Sequence, residues 1–530
     1  MPVAYSFDLR GSGNIPTSGA HSQYVIYAKA INSTTAGLYW LDLTTSTQPV
    51  QPTSSIGAFT VPITGGDVQS VVCGGIPLQA NRTQPATLKA VLVTLVSGTC
   101  GSGTYNYYYV DHAANTVTQI PTGGATASLM APVYDQNSGA LTEVVVLSAN
   151  QFDVFPYNGS NPFANSPTTV AGTFSSATQL DTSLTRGSVL IAAQPTQINN
   201  GYRVFQFNSG TASPTAVYTQ SATGGTIGSG PSGSCNGVSP YLCPVTNSKS
   251  AESDAAYVYF VDSITSGLVA SDSGTQRLVS VDANGAYTVL YTTSAGAAAT
   301  TPMTVLGADG SHVLVAIQQS GATSSGVTWN LYSLSASSVT TTLPAPIYTF
   351  TGSPDYTAPE SASALATPGS AASTLVFVNF LGCVQNCATT EKYSAIVNPS
   401  STLNATFVAN SWLLPDSVGE TGNVLQLQGI TDPQANFLGG GTVAKINLTQ
   451  MIQSGSYPDV SATSTLTAPG GGTVTIPSGD GVVQFLDGWG SDVVVGATLA
   501  ASGDALICTL SSNQIVKLAP PASPGALFPY

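Results

Sequence analysis

The chain contains 530 residues and carries a net charge of −14, yet only 7% of its residues are charged, against about 25% in typical soluble domains. The excess of acidic residues and the lack of any basic run exclude nucleic acid as a partner, because its binding depends on Lys and Arg that neutralise phosphates. The longest apolar runs, such as 88–96 and 375–381, are strand-sized and well below the ~18 residues of a membrane-spanning helix.

The composition favours strands over helices. Hydrophobic residues make up 42% of the chain, which is enough for a large core and excludes a disordered protein. Glu and Lys, which usually cover helix surfaces, are scarce, whereas Thr, Val and Tyr are abundant. We therefore predict an all-β protein.

Pairs of strand-like runs recur along the whole chain, with a turn-rich segment inside each pair. The pairs lie at 24–43, 88–111, 142–157, 188–208, 255–282, 312–335, 373–398 and 504–518, with a weaker pair near 437–448. Their starts recur about every 60 residues, which exceeds the ~40–50 residues of compact propeller repeats but leaves room for long loops. The first run of a pair is often continuously apolar and the second often alternates, as expected for inner and more peripheral strands.

These patterns predict one large β-propeller over residues 1–530, with seven or eight four-stranded blades. Residues 5–9 resemble the run at 39–43, so we expect an N-terminal strand at 3–9 to close the ring with the C-terminal strands at 504–518. The segment 221–250, rich in Gly, Ser and Pro, is predicted to be a long loop. A row of β-sandwich domains is the alternative fold, since it also contains paired strands.

Several second runs end at or near Asp or Asn, a residue type that starts turns by accepting hydrogen bonds from the backbone that follows. We expect this role for Asp42, Asp111, Asn208, Asp282 and Asn398. The dipeptide Asn284-Gly285 is in addition a strong signal for a short hairpin.

Six of the seven cysteines lie in or beside turn-rich segments and form pairs that are close in sequence. Such pairs predict local disulfides in an oxidising compartment. The expected disulfides are Cys73–Cys100, Cys235–Cys243 and Cys383–Cys387, and Cys508, which lies within a predicted strand, is expected to be a buried free thiol. A zinc site is not expected, because no His lies near Cys383.

The three histidines, His21, His112 and His312, are interpreted as polar residues of turns and strand ends. Asp111 precedes His112 directly, but adjacent residues of a strand point to opposite faces, so the two are not a ready-made catalytic dyad. Tyr105, Tyr107 and Tyr109 fall on one face of a strand and Tyr108 on the other, as cross-strand packing requires. We therefore predict no catalytic, cofactor-binding or metal-binding residues.

Calcium is the one cofactor that the sequence leaves open. Asp480, Asp487 and Asp492 lie in a Gly-rich segment, and oxygen-rich loops of this kind can hold Ca²⁺. The spacing of an EF-hand is absent, so solvated turns are the favoured interpretation. Trp489 in the same segment could stack on a sugar or lie buried.

The N-terminus has no basic start and no apolar core, so it does not resemble a signal peptide. Either a signal peptide has been removed and Met1 stands in its place, or the protein is not exported by that route. Together, the cysteines and the low charge favour the first alternative, and we expect an extracellular or cell-surface protein.

The leading functional hypothesis is a non-catalytic exported scaffold, or a self-assembling or adhesion module. Its partners would be copies of itself, another surface protein or a glycan. A secreted glycan-active hydrolase or lyase is the first alternative; its acids would come from Glu143, Glu252, Glu360, Glu391 or Glu420. A virion structural protein is the second. With so few carboxylates, we expect acid to destabilise the fold only weakly.

Overall fold

The structure is a computed structural model that describes the backbone at 24–42, 54–61, 72–79, 89–98, 103–121, 127–138, 140–180, 187–197, 201–211, 213–227, 251–253, 257–296, 303–308, 312–319 and 329–350, and the strands alone after residue 350. Side chains are described for most of these residues between 31 and 349. The described chain consists of strands, turns and two short 3-10 segments, Pro162–Ala164 and Ala270–Asp272. None of its helices is both long and apolar enough to cross a membrane.

Seven antiparallel sheets, numbered 1 to 7 in chain order, follow one another along the chain. Sheets 1 to 3 contain β1 (Tyr24–Asn32), β2 (Thr35–Asp42) and β3 (Ser54–Thr60); β4 (Val72–Gln79), β5 (Lys89–Ser97), β6 (Thr104–Asp111) and β7 (Thr116–Gln119); and β8 (Ala127–Tyr134), β9 (Leu141–Ser148), β10 (Gln151–Pro156) and β11 (Thr168–Thr169). Sheets 4 and 5 contain β12 (Phe174–Gln179), β13 (Ser188–Pro195), β14 (Arg203–Asn208) and β15 (Thr215–Thr219); and β16 (Ala222–Ile227), β17 (Ala251–Ser253), β18 (Tyr257–Gly267), β19 (Gln276–Asp282) and β20 (Tyr287–Thr292). Sheets 6 and 7 contain β21 (Met303–Ala308), β22 (His312–Gln318), β23 (Trp329–Ser335) and β24 (Tyr348–Phe350); and β25 (Pro359–Ala366), β26 (Thr374–Val384), β27 (Thr389–Val397) and β28 (Val408–Ala409).

The remaining strands form smaller and larger sheets after residue 410. They are β29 (Ser411–Leu414), β30 (Asn423–Gln428), β31 (Phe437–Leu438), β32 (Thr442–Asn447), β33 (Thr465–Ala468), β34 (Gly472–Thr475), β35 (Gly481–Trp489), β36 (Asp492–Leu499), β37 (Asp504–Thr509), β38 (Gln514–Leu518) and β39 (Ala526–Pro529). Strands β29, β30 and β32 form one sheet, β31 and β35 to β38 a second, and β33 and β34 a third. The prediction of an all-β chain is confirmed, and six of the sheets have four strands.

Within sheets 2 to 4, 6 and 7, each strand pairs with the next one in sequence, so each sheet is an antiparallel meander. Sheet 1 differs, because β39 from the other end of the chain takes the first-strand position beside β1, with which it pairs through Ala28 and Ala526. The two ends of the described chain thus meet in one sheet. The strand predicted at 3–9 lies outside the described residues, so its part in closing the ring stays a prediction.

Each inner sheet is covered on both faces, by the sheet before it and the sheet after it. In β9, Val144 packs with side chains of sheet 2, whereas its neighbour Val145 packs with sheet 4. In β13, Ile191 packs with sheet 3 and Leu190 with sheet 5. This alternation follows from the two-residue period of a strand. A β-sandwich gives each sheet one partner only, so the packing instead fits the successive blades of a β-propeller.

Burial decreases from the second strand of a sheet to the fourth. In sheet 3, β9 is buried along nearly its whole length, β10 alternates, and β11 is exposed. In sheets 1 to 7, the paired runs of the sequence are therefore the second and third strands. The pair at 504–518 instead forms β37 and β38, the last two strands of a five-stranded sheet, and the weaker pair near 437–448 is wrong, because β31 and β32 lie in different sheets. The first strands of neighbouring sheets touch one another, as β8 does with β12 and β21 with β25. The predicted loop at 221–250 begins with strand β16, and residues 228–250 lie outside the described residues.

Candidate functional site

The Asp111–His112 dipeptide lies where β6 ends in a tight turn. The Asp111 carboxylate forms an ion pair with Lys89, which is its cross-strand neighbour in β5, and both side chains are largely buried. The same carboxylate accepts a hydrogen bond from the Ala114 backbone N–H at 3.1 Å, which confirms the predicted turn-starting role. Since Lys89 and Ala114 both engage Asp111, this carboxylate is part of the structure of the turn.

Two tyrosines lie next to this ion pair between sheets 2 and 3, Tyr109 buried and Tyr157 half-buried. Burial raises the pKa of Tyr109 and of Tyr157, and the nearby Asp111 carboxylate raises both further. Tyr109 also packs edge-on against Phe163, with ring centroids 6.3 Å apart. The predicted alternation in β6 is confirmed, since Tyr108 turns the other way and packs against Phe59 of sheet 1 at 5.6 Å. These tyrosines are core residues with a polar tip.

Glu143, a candidate acid of the glycan-enzyme alternative, is a buried residue of β9. Burial raises the pKa of its carboxyl, while a hydrogen bond with the Gly210 backbone acts in the opposite direction. The Oε2 atom has no hydrogen-bond partner among the described residues. Of the other four candidates, Glu252, Glu360 and Glu391 lie in strands whose side chains are outside the described part, and Glu420 is outside it entirely.

The most connected polar cluster of the described residues lies between sheets 4 and 5 and is centred on Asp262 in β18. Asp262 is 0% exposed. The Tyr218 hydroxyl donates to Asp262 Oδ2 at 2.5 Å, and Gln220 Nε2 donates to Asp262 Oδ1 at 2.6 Å. Arg277, the cross-strand neighbour of Asp262, binds Asp272 with Nη2 2.9 Å from Oδ2. We call these five residues the Asp262 cluster.

Burial is the largest influence on the charge of the cluster. It raises the pKa of Asp262, even though the hydrogen bonds from Tyr218 and Gln220 and the charge of Arg277 favour the ionised carboxylate. Burial also raises the pKa of Tyr218, and the Asp262 carboxylate adds to that effect. Both carboxylate oxygens are occupied by protein donors, so the cluster holds two sheets together and offers no free atom to a substrate.

No sequence pattern predicted the Asp262 cluster. Asp262 continues the row of Val258 and Phe260, which both pack against sheet 4. A carboxylate in register with a buried apolar row is the signal that could have found it, because such a group needs partners in the core. Tyr218 and Gln220 lie more than 40 residues earlier in the chain, and no local pattern connects them with Asp262.

The first strands of sheets 2 to 6 share a different chemical property. Strands β4, β8, β12, β16 and β21 contain no Asp, Glu, His, Lys or Arg. No group of three or more potential metal ligands occurs in the part of the chain that the structure describes. These strands therefore supply no carboxylate, imidazole, ammonium or guanidinium group.

The predicted disulfides and the calcium candidates stay predictions. Cys73, Cys383 and Cys508 lie in β4, β26 and β37, but their side chains are outside the described part, as are Cys100, Cys235, Cys243 and Cys387 altogether. The same holds for Asp480 and for the side chains of Asp487, Trp489 and Asp492. The backbone does place Trp489 and Asp492 opposite each other at a hairpin end.

No protein-family model and no curated protein matches the chain. Among solved structures, a prolyl endopeptidase is similar at 10% identity with a TM-score of 0.36, over 77% of this chain and 53% of that one. Prolyl oligopeptidase B from Galerina marginata is similar at 10% identity with a TM-score of 0.34, over 78% and 53% of the two chains. AztD from Citrobacter koseri is similar at 8% identity with a TM-score of 0.33, over 95% and 97%.

The chain thus spans about half the length of the prolyl peptidase chains that it resembles. At these identities and TM-scores, none of the three likenesses bears on function. The fold assignment rests on the chain's own sheets and on how they pack.

Proposed function

We propose that the chain is a single closed β-propeller that acts outside the cell as a non-catalytic scaffold, and that it binds copies of itself, another surface protein or a glycan. Sheets 1 to 7 would be seven blades, and the strands from β29 to β38 would complete the ring. The pairing of β39 with β1 supports closure, because it joins the two ends of the chain in one blade. Export is supported by the cysteine pattern alone.

The absence of Asp, Glu, His, Lys and Arg from five first strands is the observation that carries the non-catalytic assignment. In a propeller, the first strand of each blade surrounds the central channel. Acid–base catalysis most often uses a carboxylate or an imidazole, and these five strands supply neither, although β25, the first strand of sheet 7, contains Glu360. The most buried carboxylates, Asp262 and Glu143, lie between sheets.

The surface chemistry supports association with other copies. Few charges are present, so two copies experience little local repulsion, and the net charge of −14 is spread over a large surface. Large apolar side chains are exposed at the turns, including Leu268, Val269 and Val339 at 65%, 55% and 63%. Such residues contribute to binding when a partner covers them.

Sedimentation velocity of the full chain at increasing concentration tests the proposal. We expect reversible oligomers whose proportion rises with concentration and changes little with salt, since apolar and hydroxyl contacts dominate. Val269→Lys places a charge in the connection after β18, and Val339→Lys places one in the connection after β23. Weaker association of one variant identifies which of these two connections lies in the contact between copies. Monomers at all concentrations, together with no binding on a glycan array, would contradict the proposal.

A further inference from the structure

Polar side chains from four segments meet at the joint between sheets 4 and 5. Tyr218 comes from β15, Gln220 from the connection to sheet 5, Asp262 from β18 and Arg277 from β19. Gln220 is held on several sides: its Oε1 accepts the Tyr202 backbone N–H at 3.2 Å, and its Nε2 also lies 3.2 Å from the Ser263 carbonyl oxygen. The connection between the two sheets is therefore tied to Asp262 through Gln220.

The charged groups around Asp262 compensate only in part for the burial of its carboxylate. Among the described residues, the ionisable groups that act on it are Tyr218 from β15, Arg277 from β19 and Asp272 from the 3-10 segment. Arg277 is shared, because its guanidinium contacts Asp272, and both of these side chains are about one-fifth exposed. One partly exposed cation thus serves two carboxylates, of which Asp262 is the one without access to water.

We propose that Asp262 makes this joint a pH-sensitive contact, which takes up one proton in mild acid and is then tighter than at neutral pH. An ionised carboxylate in this position has lost its hydration, and two hydrogen bonds and a shared arginine replace that hydration incompletely. A protonated carboxyl has no charge and still accepts the Gln220 amide on Oδ1, while the proton lies on Oδ2 and is donated to the Tyr218 oxygen, so that hydrogen bond reverses its direction. The contact between the sheets survives protonation, and the cost of the buried charge is removed.

The direction of the pH effect follows from the raised pKa of Asp262 in the folded chain. Above that pKa, the carboxyl is ionised in both the folded and the unfolded chain, and the folded state bears the full cost of burial. Between that pKa and the unfolded value of about 3.9, the folded chain binds more protons than the unfolded chain. Stability therefore rises as the pH falls through this window, which reverses the weak destabilisation expected from the sequence.

Urea denaturation of the full chain, measured from neutral pH down to about pH 4, tests the proposal against Asp262→Asn, which has the same shape but cannot ionise. We expect the urea midpoint of the wild type to rise as the pH falls. Because one proton is linked to folding, the unfolding equilibrium constant of the wild type should change by up to tenfold per pH unit, and Asp262→Asn should lack this change. Asp282→Asn, at a half-buried carboxylate that accepts hydrogen bonds from the backbone of its own turn, is the control and should keep the wild-type slope. A wild-type slope in Asp262→Asn overturns the proposal.

Two further variants keep the test decisive. Burial raises the pKa of the Glu143 carboxyl as well. The difference in pH dependence between wild type and Asp262→Asn must therefore remain when both chains carry Glu143→Gln. If Asp262→Asn does not fold, Tyr218→Phe replaces it. The Tyr218 hydroxyl favours the ionised carboxylate, so its removal should move the stability rise to higher pH. An unchanged pH window in Tyr218→Phe then overturns the proposal.

Discussion

The joint between sheets 3 and 4 and the joint between sheets 4 and 5 share a topology and an apolar core, but the second also contains a buried polar cluster. Aromatic rings fill the first: Phe152 packs 4.9 Å from Phe174 and 5.5 Å from Phe207, measured between centroids. The second contains the buried carboxylate of Asp262, a tyrosine hydroxyl and an amide. Sheet 4 therefore meets its two neighbours through an apolar face and a partly polar one.

One sheet can therefore pack against its neighbouring sheets in two ways. Rings stabilise a joint through burial and dispersion, which respond weakly to pH. A buried polar cluster contributes little net free energy but is costly when one partner is missing, and its contribution changes with protonation. The first joint should therefore set the level of stability, and the second its dependence on pH.

Removing a ring from the aromatic joint should have the largest effect. Phe152 is 0% exposed, and Phe152→Ala leaves a cavity between sheets 3 and 4. We expect the free energy of unfolding to fall by about 3–5 kcal/mol, measured by urea denaturation at neutral pH. The control Val339→Ala, at a side chain that is 63% exposed, should change it by less than about 0.5 kcal/mol. Similar losses in both variants would show that the joint is not packed as described.

Removing one hydroxyl from the polar joint should have an intermediate effect. Tyr218→Phe keeps the ring contacts with Phe260 and Tyr287, at 5.5 and 5.1 Å, but deprives the Asp262 carboxylate of a donor. We expect a loss of about 1–3 kcal/mol in the same measurement. Tyr202→Phe is the matched control, because its hydroxyl makes only a 3.4 Å contact with Ser176. Equal losses in the two variants would count against a special role for Asp262.

The sequence predicted the second and third strands of the sheets well and the first and fourth strands poorly. Strands such as β9 and β13 are covered on both faces, so they must be apolar along their length. First strands such as β12 and β16 consist largely of Ser, Thr, Ala and Gly, which give no apolar pattern. Fourth strands have only one neighbour in the sheet and end after few residues, as β11 does.

Bulges also disguise the first strands. In β12 and β16, the register shifts around the second residue, Ser175 or Thr223. Each of these hydroxyls lies 3.3 Å from a carbonyl oxygen of the second strand, that of Gln194 or Ser266. A hydrogen bond from the side chain thus compensates for the ladder that the bulge interrupts. Strand periodicity is broken at this point, so a search for alternation does not detect these strands.

The candidate site was predictable only in part for a similar reason. The turn-starting role of Asp111 and Asp282 is a local property of a few consecutive residues, and the structure confirms it. The Asp262 cluster depends on which strand of sheet 4 faces β18, and only the assembled sheets establish that contact. Local rules therefore identified the polar groups at turns, and tertiary packing determined the buried ones.

Removing a carboxylate from a turn should have the smallest effect, and it tests whether the full burial of Phe152 and Asp262 explains the larger effects. The half-buried Asp282 accepts hydrogen bonds from the backbone N–H groups of Asn284 and Ala286, at 2.9 and 2.8 Å, in a turn closed by Gly285 at φ +83°. Asp282→Ala should lower the free energy of unfolding by about 0.5–1.5 kcal/mol, because water replaces the lost acceptor. Asp282→Asn keeps an acceptor oxygen and should recover most of the loss. If Asp282→Ala lowers the free energy of unfolding as much as Tyr218→Phe does, the hydrogen bond to the buried Asp262 carboxylate stabilises the chain no more than the hydrogen bonds of a turn. The contrast between the two joints then disappears.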